Sequence, residues 1–396
     1  MNRLSKSRRF LLPVLHPVFA LTAFADAVAG PILPSLARSF HLSDGQSGLL
    51  LFWIFAGMAS GALLCRGNYA RILTAGFVAL SITSFAFPLI VRPILYPFAF
   101  FYGISVGVPM TAVSLFAGRN YPDNRASILT MLNFTWSAGA LLAPLIAARL
   151  LAVFSWRAVF VAMGCASLLA AAATSLTIRD SREEEHKTPE TTGLKNLRLV
   201  AVFAIFFFLE VGMESMFGAW ISTYVLRVTR TSLTLAAAAT AFYWIGFLAS
   251  RGLSALLVLR IRSGLILRIS IPLAFGASIM LVESRSPALL TIAIILLGGA
   301  LAPTFPVALA AFFDRARHSS DSRFVLALSG FGGSLFPWLV GLISSRSGTL
   351  GAGLLAGPVT LFFMIGMLPI LTAQKAAPAL AFEAANEQSS AGSRRD

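Results

Sequence analysis

Along this chain, apolar and polar residues neither alternate at a strand's period nor recur at the spacing of a half-buried helix. The apolar residues come in unbroken runs. A helix needs about 20 such residues to cross a bilayer, whereas a membrane β-strand needs about ten with alternating character. The runs predict twelve spans. Six fall at 11–37, 46–64, 70–90, 94–118, 126–150 and 157–178, and six more at 197–226, 232–257, 264–283, 287–312, 323–345 and 350–372. Residues 179–196 form the one long polar interruption and read as a cytoplasmic linker between two halves, 11–178 and 197–372. Residues 1–10 read as a basic cytoplasmic segment, and the Ala/Ser/Glu-rich stretch 373–396 as a disordered tail. The expected fold class is all-α integral membrane: twelve transmembrane helices in two pseudo-symmetric six-helix bundles.

Composition supports the membrane reading. The chain is 57% hydrophobic and 12% charged, with a mean hydropathy of +0.81. A soluble domain would be about one quarter charged. The net charge of +15 points to membrane topology before it points to nucleic acid. Arg38, Arg92, Arg149, Arg157, Arg227, Arg230, Arg285 and Arg346 fall in alternate loops, and Arg251 falls inside a span. The rest of the 31 Lys and Arg sit in the other loops and the ends. That bias predicts both termini in the cytoplasm of a multi-pass plasma-membrane protein, as in a bacterial inner membrane. The basic start is read as part of the first inner segment and not as a signal peptide, because no small-residue cleavage site follows it.

The two halves look like copies. Phe24-Ala-Asp26-Ala-Val-Ala-Gly30 matches Gly212-Met-Glu214-Ser-Met-Phe-Gly218, and Gly139 to Pro144 matches Gly332 to Pro337. Gly103 to Pro109 matches the region of Gly298 to Pro303. All three matches share an offset of about 190 residues, as a duplicated six-helix unit requires.

Three acids lie deep in spans: Asp26, Glu210 and Glu214. An ionised side chain at bilayer depth costs about 2.5–3.5 kcal/mol on insertion scales, so such residues mark function by default. Asp26 and Glu214 are repeat-equivalent and are expected to face one central cavity from opposite sides, as proton-coupling and solute-binding groups. Glu210 lies one turn before Glu214 on the same helix face. Arg251 is the one basic residue inside a span, at a depth that predicts a Glu210–Arg251 pair acting as a gating latch. The plainer alternative is two costly charges neutralising each other. Asn133, Trp136, Trp220, Tyr224, Tyr243, Trp244 and Trp338 are expected to supply the amide and aromatic surface that a sugar ring needs. For Trp220 and Tyr224 the competing reading is the interfacial aromatic belt.

Cys65 and Cys165 give no metal spacing or disulfide framework, and His16, His41, His186 and His318 are scattered. No phosphate loop, nucleophile elbow or EF-hand is present, so neither an enzyme nor a cofactor is expected, beyond a coupling cation, H+ or Na+. The expected partners are a small-molecule solute and the lipid bilayer, with no nucleic acid, for a monomer.

This pattern resembles the major facilitator superfamily. Asp26-Ala-Val-Ala-Gly-Pro-Ile-Leu-Pro34, Gly298-Gly-Ala-Leu-Ala-Pro-Thr-Phe-Pro306 and Ser329-Gly-Phe-Gly-Gly-Ser-Leu-Phe-Pro-Trp338 are similar to its fucose-permease and sodium-dependent-glucose-transporter branch. The resemblance implies alternating access by rocking of the two halves around a bound sugar, with proton or sodium coupling. The chain departs from the family in two places. Cys65-Arg-Gly-Asn-Tyr-Ala-Arg71 lacks the acid of the loop 2–3 signature, and span 4 lacks both the arginine typical of many proton-driven members and the acid used by proton-coupled fucose carriers. Coupling then falls to Asp26 and the span-7 acids. The expectation is a secondary transporter of a small polar solute, a sugar first, with proton-driven efflux of drugs or metabolites as the alternative. A non-transporting receptor or lipid-handling bundle is more remote.

Overall fold

The computed structural model describes residues 11–121, 124–178, 197–257, 263–313, 315 and 319–372. Among the described residues the chain is helical, with two short 3-10 turns and no strand. Eleven helices are long and apolar enough to cross a membrane, and a bent pair, Leu12–Ala27 with Ala29–Phe40, makes a twelfth span. The expected linker 179–196, the N-terminal segment and the tail 373–396 lie outside the described residues. Large apolar side chains such as Leu169, Leu176, Phe362 and Phe363 are 60–80% exposed. In water such a surface would aggregate, whereas in a bilayer it is the lipid contact.

Proline explains the two interrupted spans. In span 1, Pro31 has no N–H for the Ala27 carbonyl and Pro34 none for Gly30, and the helix bends by 42° just before them. Asp26 sits half-buried immediately ahead of that bend. In span 10, Pro303 and Pro306 withhold the same bond from Gly299 and Ala302, and the helix breaks between Leu301 and Thr304. Span 2 begins at a capping box, with Ser43 and Gln46 satisfying each other's backbone N–H.

The duplication is visible in the packing. A side chain on Gly139 of span 5 would overlap the Ala20 carbonyl of span 1, and one on Gly332 of span 11 would overlap the Phe208 carbonyl of span 7. Gly57 and Gly103 join spans 2 and 4 in this way, and Gly246 and Gly298 join spans 8 and 10. Each pair lies at the same register in its half, and small residues there let backbones touch. Even the two non-glycine residues with left-handed backbone, His41 after span 1 (φ 50) and Arg230 after span 7 (φ 52), are repeat-equivalent. The halves meet where span 1 crosses span 7 and where span 2 packs on span 11, Gly48 against Trp338 and the Pro337 carbonyl. Span 5 packs on span 8, with Trp136 against Trp244.

Candidate functional site

A small cavity of about 40 Å³ lies between spans 1 and 7. Eight of its nine lining residues form repeat-equivalent pairs, Asp26 with Glu214, Ala27 with Ser215, Gly30 with Gly218, and Phe55 with Trp244, and Ala219 completes it. It therefore sits on the pseudo-two-fold axis that relates the halves. Asp26 and Glu214, the two carboxylates expected to converge, are both there and close enough to feel each other's charge. Among the described residues, neither accepts a side-chain hydrogen bond, which leaves four oxygens free for a ligand. Trp244 adds an indole edge whose buried Nε1 has no hydrogen-bond partner. The indole is held in place by Trp136 at 5.8 Å, Tyr243 at 5.2 Å and Phe247 at 5.1 Å between ring centroids.

Other expected site residues are placed differently. Trp220 is buried and donates its indole N–H to the Pro337 carbonyl at 2.9 Å, joining span 7 to span 11. The Tyr224 hydroxyl donates to the Val282 carbonyl at 2.9 Å and accepts from Arg285 at 3.1 Å. Trp338 packs edge-on against Phe52 at 6.3 Å in the contact between spans 2 and 11. Asn133 turns its amide back on its own helix, donating to the Leu129 carbonyl at 2.9 Å. None of these four lines the axis cavity. Trp220 and Tyr224 follow Glu214 by more than a full turn and do not share its helix face. Tyr243 stands behind Trp244, fully buried with an unpartnered hydroxyl.

The Glu210–Arg251 pair is not made. Arg251 crosses instead from span 8 to span 5 of the other half. It donates to Ser137 Oγ at 3.0 Å and the Asn133 carbonyl at 3.5 Å, and lies over the Phe247 ring at 4.4 Å. Glu210 faces span 10 and is fully buried. Its Oε1 lies 2.8 Å from Thr304 Oγ1, and its Oε2 has no hydrogen-bond partner. The two side chains leave their helices toward different neighbours, which depth along a span cannot reveal.

A second feature lies at the end of the bundle away from the chain termini. A vestibule of about 640 Å³ is bordered by Arg38, His41, Thr223 and Trp220. At its rim Asp44 of span 2 receives both guanidinium nitrogens of Arg227 from span 7, at 2.7 and 2.5 Å, and the Ser344 hydroxyl of span 11 at 2.5 Å. The Gly45 N–H donates to Ser345 Oγ at 2.6 Å. These bonds tie the halves together at that end. Asp44 lies in a capping segment and so reads from sequence as a helix start. The repeat offset would have found Ser215 from Ala27, and Phe55 from Trp244, which was itself expected. Asp44→Ala removes a bidentate but partly exposed pair, for which about 1 kcal/mol is expected, or roughly fivefold in the closed-to-open ratio. Faster modification of a vestibule cysteine (Thr223→Cys) by an impermeant maleimide measures that shift, and an unchanged rate would show that the bridge does not hold this end.

The model of the Major Facilitator Superfamily matches residues 15–325. The Bacillus subtilis glucose/mannose transporter GlcP is 22% identical over 339 residues, covering 79% of this chain and 82% of that protein. The human sodium-dependent glucose transporter 1 is 22% identical over 386 residues, covering 86% of this chain and 73% of that protein. Among solved structures, the D-xylose–proton symporter superposes with a TM-score of 0.71 at 14% identity, covering 90% of this chain and 96% of that one. With the family model spanning most of its length and twelve spans in two repeats, the chain belongs to the Major Facilitator Superfamily of membrane transporters.

Proposed function

We propose that the protein is a secondary active transporter of a small sugar, working by alternating access with an accompanying cation, a proton in preference to sodium. The observation that carries this reading is the axis cavity. It offers two carboxylates that accept no side-chain hydrogen bond among the described residues, a serine, and the repeat-equivalent Phe55 and Trp244, at a place where both halves contribute equivalent residues. Sugar hydroxyls donate to the Asp26 and Glu214 oxygens, while the CH face of the ring lies on the Trp244 indole. A site on the symmetry axis is reached from either side as the halves rock, which is what alternating access needs. The glucose transporters among its relatives support the substrate class. With both termini in the cytoplasm, as the charge bias favours, the Asp44–Arg227 tie closes the outer side.

The test uses purified protein in proteoliposomes on a solid-supported membrane. Concentration jumps of a panel of hexoses, pentoses, disaccharides and amino sugars are applied at acid and at alkaline pH, without sodium. A sugar-specific current that grows at acid pH is the expected result. Silence to every sugar, with a response to lipophilic cations, would replace this reading with efflux. Silence to both would point to the non-transporting alternative.

A further inference from the structure

One hydroxyl cannot satisfy the neighbours that Thr304 has. Its Oγ1 lies 2.6 Å from the Leu301 carbonyl and 2.8 Å from Glu210 Oε1. A threonine hydroxyl carries one hydrogen and two lone pairs, and a carbonyl oxygen only accepts. That one hydrogen can be donated to either acceptor, to Glu210 Oε1 or to the Leu301 carbonyl, which lies at the shorter distance. Both acceptors are bonded at once only when the hydroxyl donates to Leu301 and Glu210 Oε1 brings a hydrogen of its own. We propose that Glu210 is a proton-carrying carboxylic acid, separate from the axis pair, whose proton closes a relay across the break in span 10: Glu210 Oε1–H to Thr304 Oγ1–H to the Leu301 carbonyl.

The surroundings agree. Glu210 is 0% exposed and its Oε2 has no hydrogen-bond partner. An ionised carboxylate buried with an orphaned oxygen is far costlier than a neutral acid in the same place. The groups acting on it are Glu214, one turn along span 7 and of like sign, Arg251 from span 8, and the Tyr243 hydroxyl from span 8. Arg251, the one positive group of the three, is engaged with span 5. From span 10 the facing polar group is Thr304 itself. On the face of span 7 that meets span 11, Gly212 packs against the Phe336 ring.

The relay joins protonation to the backbone. Leu301 ends one helical piece of span 10 and Thr304 begins the next. When Glu210 gives its proton to water, the single Thr304 hydrogen must choose between the Leu301 carbonyl and the new carboxylate. The clip across the break is then lost or strained, and span 10 is free to change its angle. When a proton returns from water, the clip reforms. The acid gains and loses one proton and no other group changes. This deepens the proposed function by giving the accompanying proton a seat away from the sugar.

The decisive measurement needs no solute. Infrared difference spectra of the full-length protein across a pH titration report the C=O stretch of protonated carboxylic acids. A band is expected at neutral pH in the wild type. It should survive in the Asp26→Asn/Glu214→Gln double variant and vanish when Glu210→Gln is added to that variant. Absence of the band in the double variant, or its persistence in the triple variant, overturns the proposal. Thr304→Val, which leaves Glu210 in place, should shift the band by removing its acceptor, and an unmoved band also overturns the relay. In proteoliposomes, Glu210→Gln supplies an N–H in place of the acid O–H and mimics the proton-loaded form. It is expected to exchange glucose across the membrane yet lose pH-gradient-driven accumulation by about tenfold or more. Undiminished accumulation would overturn the coupling role. A wild type that exchanges no sugar would sink the proposed function instead, and the infrared band would still decide the state of Glu210.

Discussion

Replacing Asp26 by Asn, or Glu214 by Gln, is expected to weaken sugar binding by about tenfold to a hundredfold each, and the double replacement to abolish measurable exchange. A hydrogen bond to a charged group contributes about 1.5–3 kcal/mol, roughly twice that of a neutral pair. Each replacement trades a carboxylate oxygen for an amide N–H, so a hydroxyl that donated now meets a donor. Neither acid accepts a side-chain hydrogen bond among the described residues, so nothing in the resting protein is orphaned by the change. Removing a buried charge also relieves the cost of holding it. Loss of binding should therefore come without loss of fold. Sugar titration of the Trp244 fluorescence, with thermal unfolding measured in parallel, checks both halves of the statement. Wild-type affinity in either single variant would remove that carboxylate from the site.

Gly30→Val is expected to force the halves apart at the end away from the termini. A Cβ at Gly30 would overlap the Gly218 carbonyl and press on the Ala219 Cα at 3.0 Å. Both obstacles are backbone and cannot swing aside. Overpacking of this kind costs about 1–3 kcal/mol, or roughly fivefold to more than a hundredfold in a two-state ratio. The cost falls only on the arrangement in which spans 1 and 7 touch. The variant should thus expose the vestibule, with a Thr223→Cys label reacting about fivefold to more than a hundredfold faster. Gly218→Ala is the internal control. Its added Cβ meets only the Trp244 ring at 3.8 Å, an ordinary contact, despite occupying the equivalent position. Equal effects of the two substitutions would show that the crossing does not govern closure.

Much of the fold is written in run length alone, because a helix in lipid must be apolar for its whole crossing. Span 1 is the exception that composition could not describe: its bend comes from Pro31 and Pro34 acting on particular carbonyls. Asp26 and Glu214 were legible because the duplication gives each a partner at a fixed offset. Trp220, Tyr224 and Trp338 were not, because an aromatic residue in a span serves packing, a belt or a ligand equally well until its neighbours are known. Trp220 and Tyr224 turn out to spend their polar atoms on backbone carbonyls. Arg251 was misjudged for a related reason. Its depth matches Glu210, but its direction around the helix sends it to span 5 of the opposite half. The bond between Thr304 and Glu210 has no repeat-equivalent, since the position matching Thr304 in span 4 is Pro109, and the offset that found the axis pair could not find it.

The cavity on the axis, about 40 Å³, has room for a few water molecules and no more. On the proposed function, a sugar ring cannot be received there as a key is received by a lock. It must act as a wedge, and part of its interaction energy is spent in parting span 1 from span 7. The expected apparent affinity is then the intrinsic affinity scaled down by the small fraction of molecules already open. For a carrier this is an advantage. A solute held weakly because it props its own site ajar is one that the closing of the site expels, so the tightness of the empty cavity works as the spring of release.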